Sequence, residues 1–186
     1  KILGLREVVF LDYIDGDLDQ AEAAVAIDQI AAHLRRVRPQ VVVTFGPEGA
    51  YGHPDHMAIS QFTLAALVAA ADPNWRPSEG RLPYRVAKLY FMADTQAGMA
   101  RYNALFGNLV MPVDGVDRSF PGWPEWIISA ELDTDAYWRT ALQAIQCHVS
   151  QIGGISNLAA AIEHNHTQLL GRQHFIRGLI LVNAGR

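Results

Sequence analysis

A short stretch of the chain brings together Tyr51, His53, Asp55 and His56, spaced by Gly46, Gly49 and Gly52 and interrupted by Pro54. Side chains of these types at this spacing can do hydrolytic chemistry. A neutral imidazole is the commonest side-chain ligand of zinc, and a second histidine steadied by a carboxylate can carry a proton or stabilise a developing oxyanion. If Pro54 opens a helix, His53 falls at its cap and His56 three residues on, so both side chains can face one space. Asp55 then sits in the first turn, where the helix dipole favours a carboxylate. One histidine as ligand and the other as acid or electrostatic stabiliser is an arrangement for metal-assisted hydrolysis of an acyl bond. Spacing alone leaves a satisfied structural pair as the alternative, because a zinc site takes three protein ligands and this motif supplies one or two.

Such a motif needs a scaffold, and the flanking pattern supplies one. Val41, Val42, Val43, Thr44 and Phe45 form a continuous β-branched run that suits a strand covered on both faces. Open α/β sheets bind ligands at the carboxyl ends of their strands, so the loop leaving Phe45 is where chemistry belongs. Residues 54–71 read as a helix, as do residues 18–37, where Ala21, Ala24, Val25, Ile27, Ile30, Ala31 and Leu34 recur at helical spacing before Pro39. Residues 8–11 read as a buried strand that would complete a parallel βαβ unit with residues 41–45. Further strands are expected over 86–91 and 179–182. Further helices are expected after Asp133, as a cap, and over 158–170. Residues 111–126 hold three prolines and two tryptophans and read as a long loop with one short strand at most.

With 186 residues, half of them hydrophobic, the chain fits one α/β domain with a sizeable core. Its 15 Lys and Arg against 19 Asp and Glu give a net charge of -4, and no basic cluster exceeds Arg35, Arg36 and Arg38, which read as the solvated end of a helix. This excludes a nucleic-acid partner held by phosphate contacts. No apolar run approaches the roughly 18 residues of a membrane span. Arg6 and Glu7 put charges where a signal peptide would be apolar, and the single Cys147 makes no internal disulfide, so no signal peptide and a reducing, cytoplasmic location are expected. Residues 15–19 open like a calcium loop but carry Gln20 and Ala26 where glycine and glutamate are required. His164 and His166 would diverge on a helix and read as surface residues. Trp123 and Trp126 could cover a cleft, fill a core or form a subunit contact, so a homo-oligomer stays open.

The run Gly52-His53-Pro54-Asp55-His56, preceded by Gly49-Ala50-Tyr51 and a valine-rich strand, resembles the second signature of the LmbE-like, or PIG-L, family of zinc-dependent de-N-acetylases. Residues 3–11 with Asp15-Gly16 are similar to that family's third-strand region, and His148-Val149-Ser150-Gln151 resembles its C-terminal His-x-Ser-Gln segment. The resemblance implies a Rossmann-like, mostly parallel sheet flanked by helices. It also implies a Zn2+ cofactor and removal of an acetyl group from an N-acetylglucosaminyl-type sugar conjugate, with metal-activated water attacking the amide carbonyl. His56 would be a zinc ligand. His53 would be the cationic group facing the oxyanion, oriented by Asp55. Tyr51, His148 and Gln151 would lie at the substrate.

Members of the family begin with a His-Pro-Asp-Asp motif that gives the other zinc ligands and the general base, and this sequence has none. Residues 1–186 are therefore expected to be a single domain of this type that is incomplete at its N-terminus, without the first strand and the first ligand loop. Two other readings stay open: a non-catalytic sugar- or partner-binding domain of the same fold, and an amidase acting on a larger acyl conjugate.

Overall fold

The computed structural model describes residues 1–75, 81–108, 110–152 and 158–180. Helix α1 (Ala23–Val37) leads through Arg38, in the left-handed conformation, into strand β1 (Val41–Thr44). A single turn, α2 (Gly49–Gly52), and the long helix α3 (Pro54–Ala71) follow, and α3 returns the chain to β2 (Lys88–Ala93), parallel to β1. Next come α4 (Gln96–Phe106), the hairpin β3 (Val110–Val113) and β4 (Val116–Ser119), and strand β5 (Ala130–Asp133). Helices α5 (Trp138–Gln146), α6 (Val149–Ile152) and α7 (Leu158–Leu169) precede the last described strand, β6 (Arg172–Ile180). Among the described residues no helix is long and apolar enough to cross a membrane.

The main sheet runs β1-β2-β6-β5. Its first pair is parallel, while β2–β6 and β6–β5 are antiparallel, so the α/β class holds but the sheet is mixed rather than mostly parallel. The βαβ unit is β1–α3–β2. Residues 8–11 do not supply its first strand: they have no ladder partner among the described residues, and Phe10 is 81% exposed. A strand needs a neighbour for its backbone groups, and pattern alone could not show that none of the described segments reaches this one.

One sheet face carries the core. Val42, Leu89, Phe91 and Leu179 meet α1 and α3, where Ala31, Leu34, Ala66, Leu67 and Ala70 let the two helices pack closely. A second cluster joins Ala26 of α1 to Ala58 and Phe62 of α3 beneath Tyr13 and Leu18. On the other face Val41, Val43 and Leu132 are exposed beside Tyr90 and Phe175, so β1 is not covered on both faces as its composition suggested.

Arg35 reverses another expectation. It is only 4% exposed, and it donates to the carbonyls of Ala69, Ala70 and Asp72 at the end of α3 and to that of Arg81. The last turn of a helix leaves carbonyls without intrahelical donors, and a guanidinium fork satisfies several at once.

Other departures have local causes. Residues 18–20 form a separate 3-10 turn before α1, because the Leu18 N–H is drawn to the Asp55 carboxylate. Helix α4 was not legible as an amphipathic pattern, yet it has a side-chain cap at Thr95 and Gly107 at its end with φ 84°. The expected loop at 111–126 contains the β3–β4 hairpin, whose turn residues Asp114 and Gly115 both have positive φ, the geometry that two-residue hairpin turns require. Asp133 ends β5 instead of capping α5, and a 3-10 turn at Asp135–Tyr137 intervenes. The final strand starts at Arg172, well before residue 179, and residues 181–182 of that expectation lie outside the described residues.

Candidate active site

The loop leaving β1 and the start of α3 form a cluster of four rings. Phe45 stacks on His56 at 3.8 Å between centroids with 6° between planes, and His56 stacks on His53 at 4.6 Å. Tyr51 meets His53 and His56 edge-on at 5.8 and 5.5 Å. Three of the residues singled out in the sequence, Tyr51, His53 and His56, are thus brought together at the carboxyl end of β1.

The backbone here is tightly turned. Gly49 and Gly52 have φ of 66° and 80°, and Ala50 adopts φ 61° and ψ −88°, a strained conformation for a residue with a side chain. A Cβ at Gly49 would stand 2.6 Å from Cγ of Met57 and 3.4 Å from Cβ of His56, so only glycine lets the loop lie against the first turn of α3.

His53 caps α3: its Nδ1 accepts the Asp55 N–H at 3.1 Å, which leaves Nε2 as the nitrogen that can meet a ligand. Asp55 is 8% exposed, and its carboxylate accepts from Gly16 N at 2.7 Å and from Leu18 N at 3.0 Å. The expected orientation of His53 by Asp55 therefore runs through the backbone N–H, while the carboxylate holds residues 16–18 against α3.

His56 points Nδ1 at the Gly49 carbonyl, 3.2 Å away. A carbonyl only accepts, so Nδ1 carries the proton and Nε2 keeps its lone pair. Burial, then the neighbouring His53, lowers the His56 pKa below its ordinary value, while the Gly49 carbonyl, Asp55 and Asp15 oppose this more weakly. A neutral imidazole with one nitrogen fixed by a backbone carbonyl is the form that binds metals. His56 thus fits as one zinc ligand. Among the described residues no group of three His, Cys, Asp or Glu side chains could hold a metal ion, so the full set that zinc takes is not assembled.

Several neighbours escaped the sequence reading. Asp15, read there as part of a solvated helix start, acts electrostatically on His56. Trp123 donates its indole N–H to Glu48 at 3.2 Å, and its backbone pairs with Asp94 and Gln96 beyond β2, so the tryptophan loop bridges the ends of both parallel strands. Asp94 is partly desolvated, which raises its pKa, with His174 opposing. These contacts join positions far apart in sequence, and no short motif announces them.

His148 lies elsewhere in the chain's geometry. It follows α5, bonds back to the carbonyls of Ala144 and Ile145, and makes no hydrogen bond or ring contact with Tyr51, His53 or His56. Gln151 belongs to α6, and its side chain lies outside the described residues. His164 is exposed, and His166 stacks on Trp138 beside Asp135. A cavity of about 820 Å3 between α4, β5 and β6 is lined by none of Tyr51, His53, Asp55, His56 and His148. The ring cluster is the better candidate, because convergent imidazoles on a fixed cap carry chemistry that cavity volume does not.

Comparison with known proteins places the chain in a family. Residues 1–67 match the family model PIG-L, GlcNAc-PI de-N-acetylase. A 1D-myo-inositol 2-acetamido-2-deoxy-alpha-D-glucopyranoside deacetylase of Thermobifida fusca is 35% identical over 137 residues, covering 72% of this chain and 46% of the relative. The protein of the same name from Geodermatophilus obscurus is 34% identical over 176 residues, covering 88% of this chain and 56% of the relative. The chain thus spans about half the length of the curated relatives it matches. The crystal structure of the conserved protein TT1542 from Thermus thermophilus superposes over the whole chain and 72% of its own length, with a TM-score of 0.63 and 25% identity. The hydratase GalB of Pseudomonas putida, at 16% identity and a TM-score of 0.52, shares the fold alone. The segment matched by the family model includes the whole run from Tyr51 to His56, and on these grounds the chain belongs to the PIG-L, or LmbE-like, family.

Proposed function

We propose that this chain is the motif-bearing part of a zinc-dependent hydrolase that removes the acetyl group from an N-acetylglucosaminyl conjugate. The stacked His53–His56 pair at the carboxyl end of β1 carries the reading, supported by the deacetylase names of the relatives. A zinc ion, when bound, polarises water and the acyl oxygen. His56 would hold it through Nε2, with the Gly49 carbonyl fixing the ring at Nδ1. Two further ligands and a general base must come from a His-Pro-Asp-Asp segment, which this sequence does not contain.

The other roles fall to this chain. His53, anchored through Nδ1, directs Nε2–H at the oxygen that becomes negative as water adds to the amide carbonyl. Tyr51 stands edge-on to both imidazoles and offers its hydroxyl to the same oxygen. Asp55 acts by holding residues 16–18, and with them Asp15, beside the site. His148 and Gln151 are assigned to the substrate side by the resemblance of residues 148–151 to the family's C-terminal segment. In a protein carrying the His-Pro-Asp-Asp segment, His56→Ala loses bound zinc, while His53→Ala keeps zinc and loses acetate release by about a hundredfold or more. Metal analysis and acetate assays decide, and full turnover by a metal-free preparation would overturn the reading.

A further inference from the structure

One carbonyl serves both imidazole residues. The Gly49 oxygen accepts the His53 backbone N–H at 3.2 Å and faces Nδ1 of His56, also at 3.2 Å, so its position governs where both rings stand and which His56 nitrogen carries the proton. That oxygen belongs to the turn at residues 46–49, closed by the Gly49 N–H on the Gly46 carbonyl at 2.9 Å. The turn lies past Thr44 and Phe91, the last register pair of β1 with β2, so the sheet ladder does not fix it.

Glu48 supplies the hold. Its carboxylate folds back over Gly46, in space that a Cβ there would need, and accepts the Trp123 indole N–H at 3.2 Å across 75 residues of sequence. Trp123 is itself fixed to the end of β2: its backbone N–H donates to the Asp94 carbonyl at 2.7 Å, and its carbonyl accepts from Gln96 N at 2.9 Å. A Cβ at Gly122 would stand 2.5 Å from the Thr95 carbonyl oxygen, so this segment lies directly on the backbone that leaves β2. An indole N–H on a carboxylate is a charge-assisted, directional bond, stronger than a neutral one. We propose that Glu48 and Trp123 are a positioning pair: they carry the rigidity of β2 into the turn at 46–49, hold the Gly49 carbonyl on Nδ1 of His56, and so keep Nε2 as the nitrogen with a free lone pair. Neither side chain touches the reacting atoms. The inference rests on the deacetylase reading for the use made of His56, and on the hydrogen bonds alone for what holds its ring.

The test reads the full-length protein in two ways: the tautomer of the neutral His56 ring in the metal-free state, from imidazole nitrogen chemical shifts, and zinc affinity, by chelator competition. The wild type shows the Nδ1–H form. Glu48→Ala and Trp123→Phe each admit the Nε2–H form and weaken zinc binding about tenfold, the usual loss when an outer partner of a ligating histidine is disturbed. The double variant is no worse than the poorer single, because both remove one link. Glu48→Gln keeps an acceptor oxygen and restores most of both readouts. The pair is refuted if either single variant, melting like the wild type, keeps tautomer and affinity, if the losses multiply in the double variant, or if Glu48→Gln is as impaired as Glu48→Ala. Where Glu48→Ala melts low, Trp123→Phe, which retains a ring, decides. Acetate release is followed in parallel. Its absence from a wild type whose variants show this pattern strikes the deacetylase reading and leaves the pair; acetate release with the tautomer unchanged in the variants does the reverse.

Discussion

At the scale of single residues, the site depends on one loop conformation that few side chains tolerate. Ala50 holds φ 61° and ψ −88° between two glycines, and Tyr51, His53 and His56 take their places from it. Ala50→Gly should raise stability by about 1 kcal/mol, since strain of roughly 1–3 kcal/mol exceeds the entropy that glycine adds. Gly49→Ala should lower it by roughly 2 kcal/mol, because its Cβ meets Met57 in a backbone region that L-residues avoid. Urea denaturation of both variants checks the pair, and opposite signs are expected. The identities of Tyr51, His53 and His56 were legible in sequence because they share a few adjacent positions, where cap and helix spacing fix geometry. Asp55 was legible as a first-turn carboxylate, but its partners Gly16 and Leu18 were not, since no periodicity links the two segments.

At the scale of elements, strands and helices whose stability is local were readable, and those set by distant contacts were not. Helix α3 and strand β1 fall within a residue of expectation, because Pro54 and the valine run act over short range. Residues 8–11 carry an equally good strand composition and form none, because a strand is defined by its neighbour. The β3–β4 hairpin had a usable signal in Asp114–Gly115, obscured by the prolines around it. Arg35 shows the reverse case, a charged residue at a helix end that is buried as the cap of another helix. Arg35→Met should therefore destabilise the protein by about 3 kcal/mol, since it strands several buried carbonyls. Arg35→Lys should recover only part of this, as an ammonium lacks the planar fork. Thermal and urea unfolding of the two variants measure the difference.

At the scale of the whole molecule, the sheet divides into a face buried by α1 and α3 and a face where Val41, Val43 and Leu132 stay exposed. The site sits at the end of the same sheet, held from one side by the tryptophan loop and from another by residues 16–18. The carboxylate of Asp55 spans 39 residues of sequence to reach Gly16, tying a segment without regular structure to the longest helix. Its meaning shows in time rather than in space. In hydrogen exchange the amides of Gly16 and Leu18 should exchange slowly despite their exposed surroundings, and open together with the first turn of α3 as one cooperative unit. Asp55→Asn should speed exchange at both amides and at the α3 start, whereas independent rates at the two segments would show that they open separately. If they open as one, the loop that brings Asp15 to His56 cannot come undone without releasing the imidazole cluster, so a single local unfolding event governs when the site exists at all.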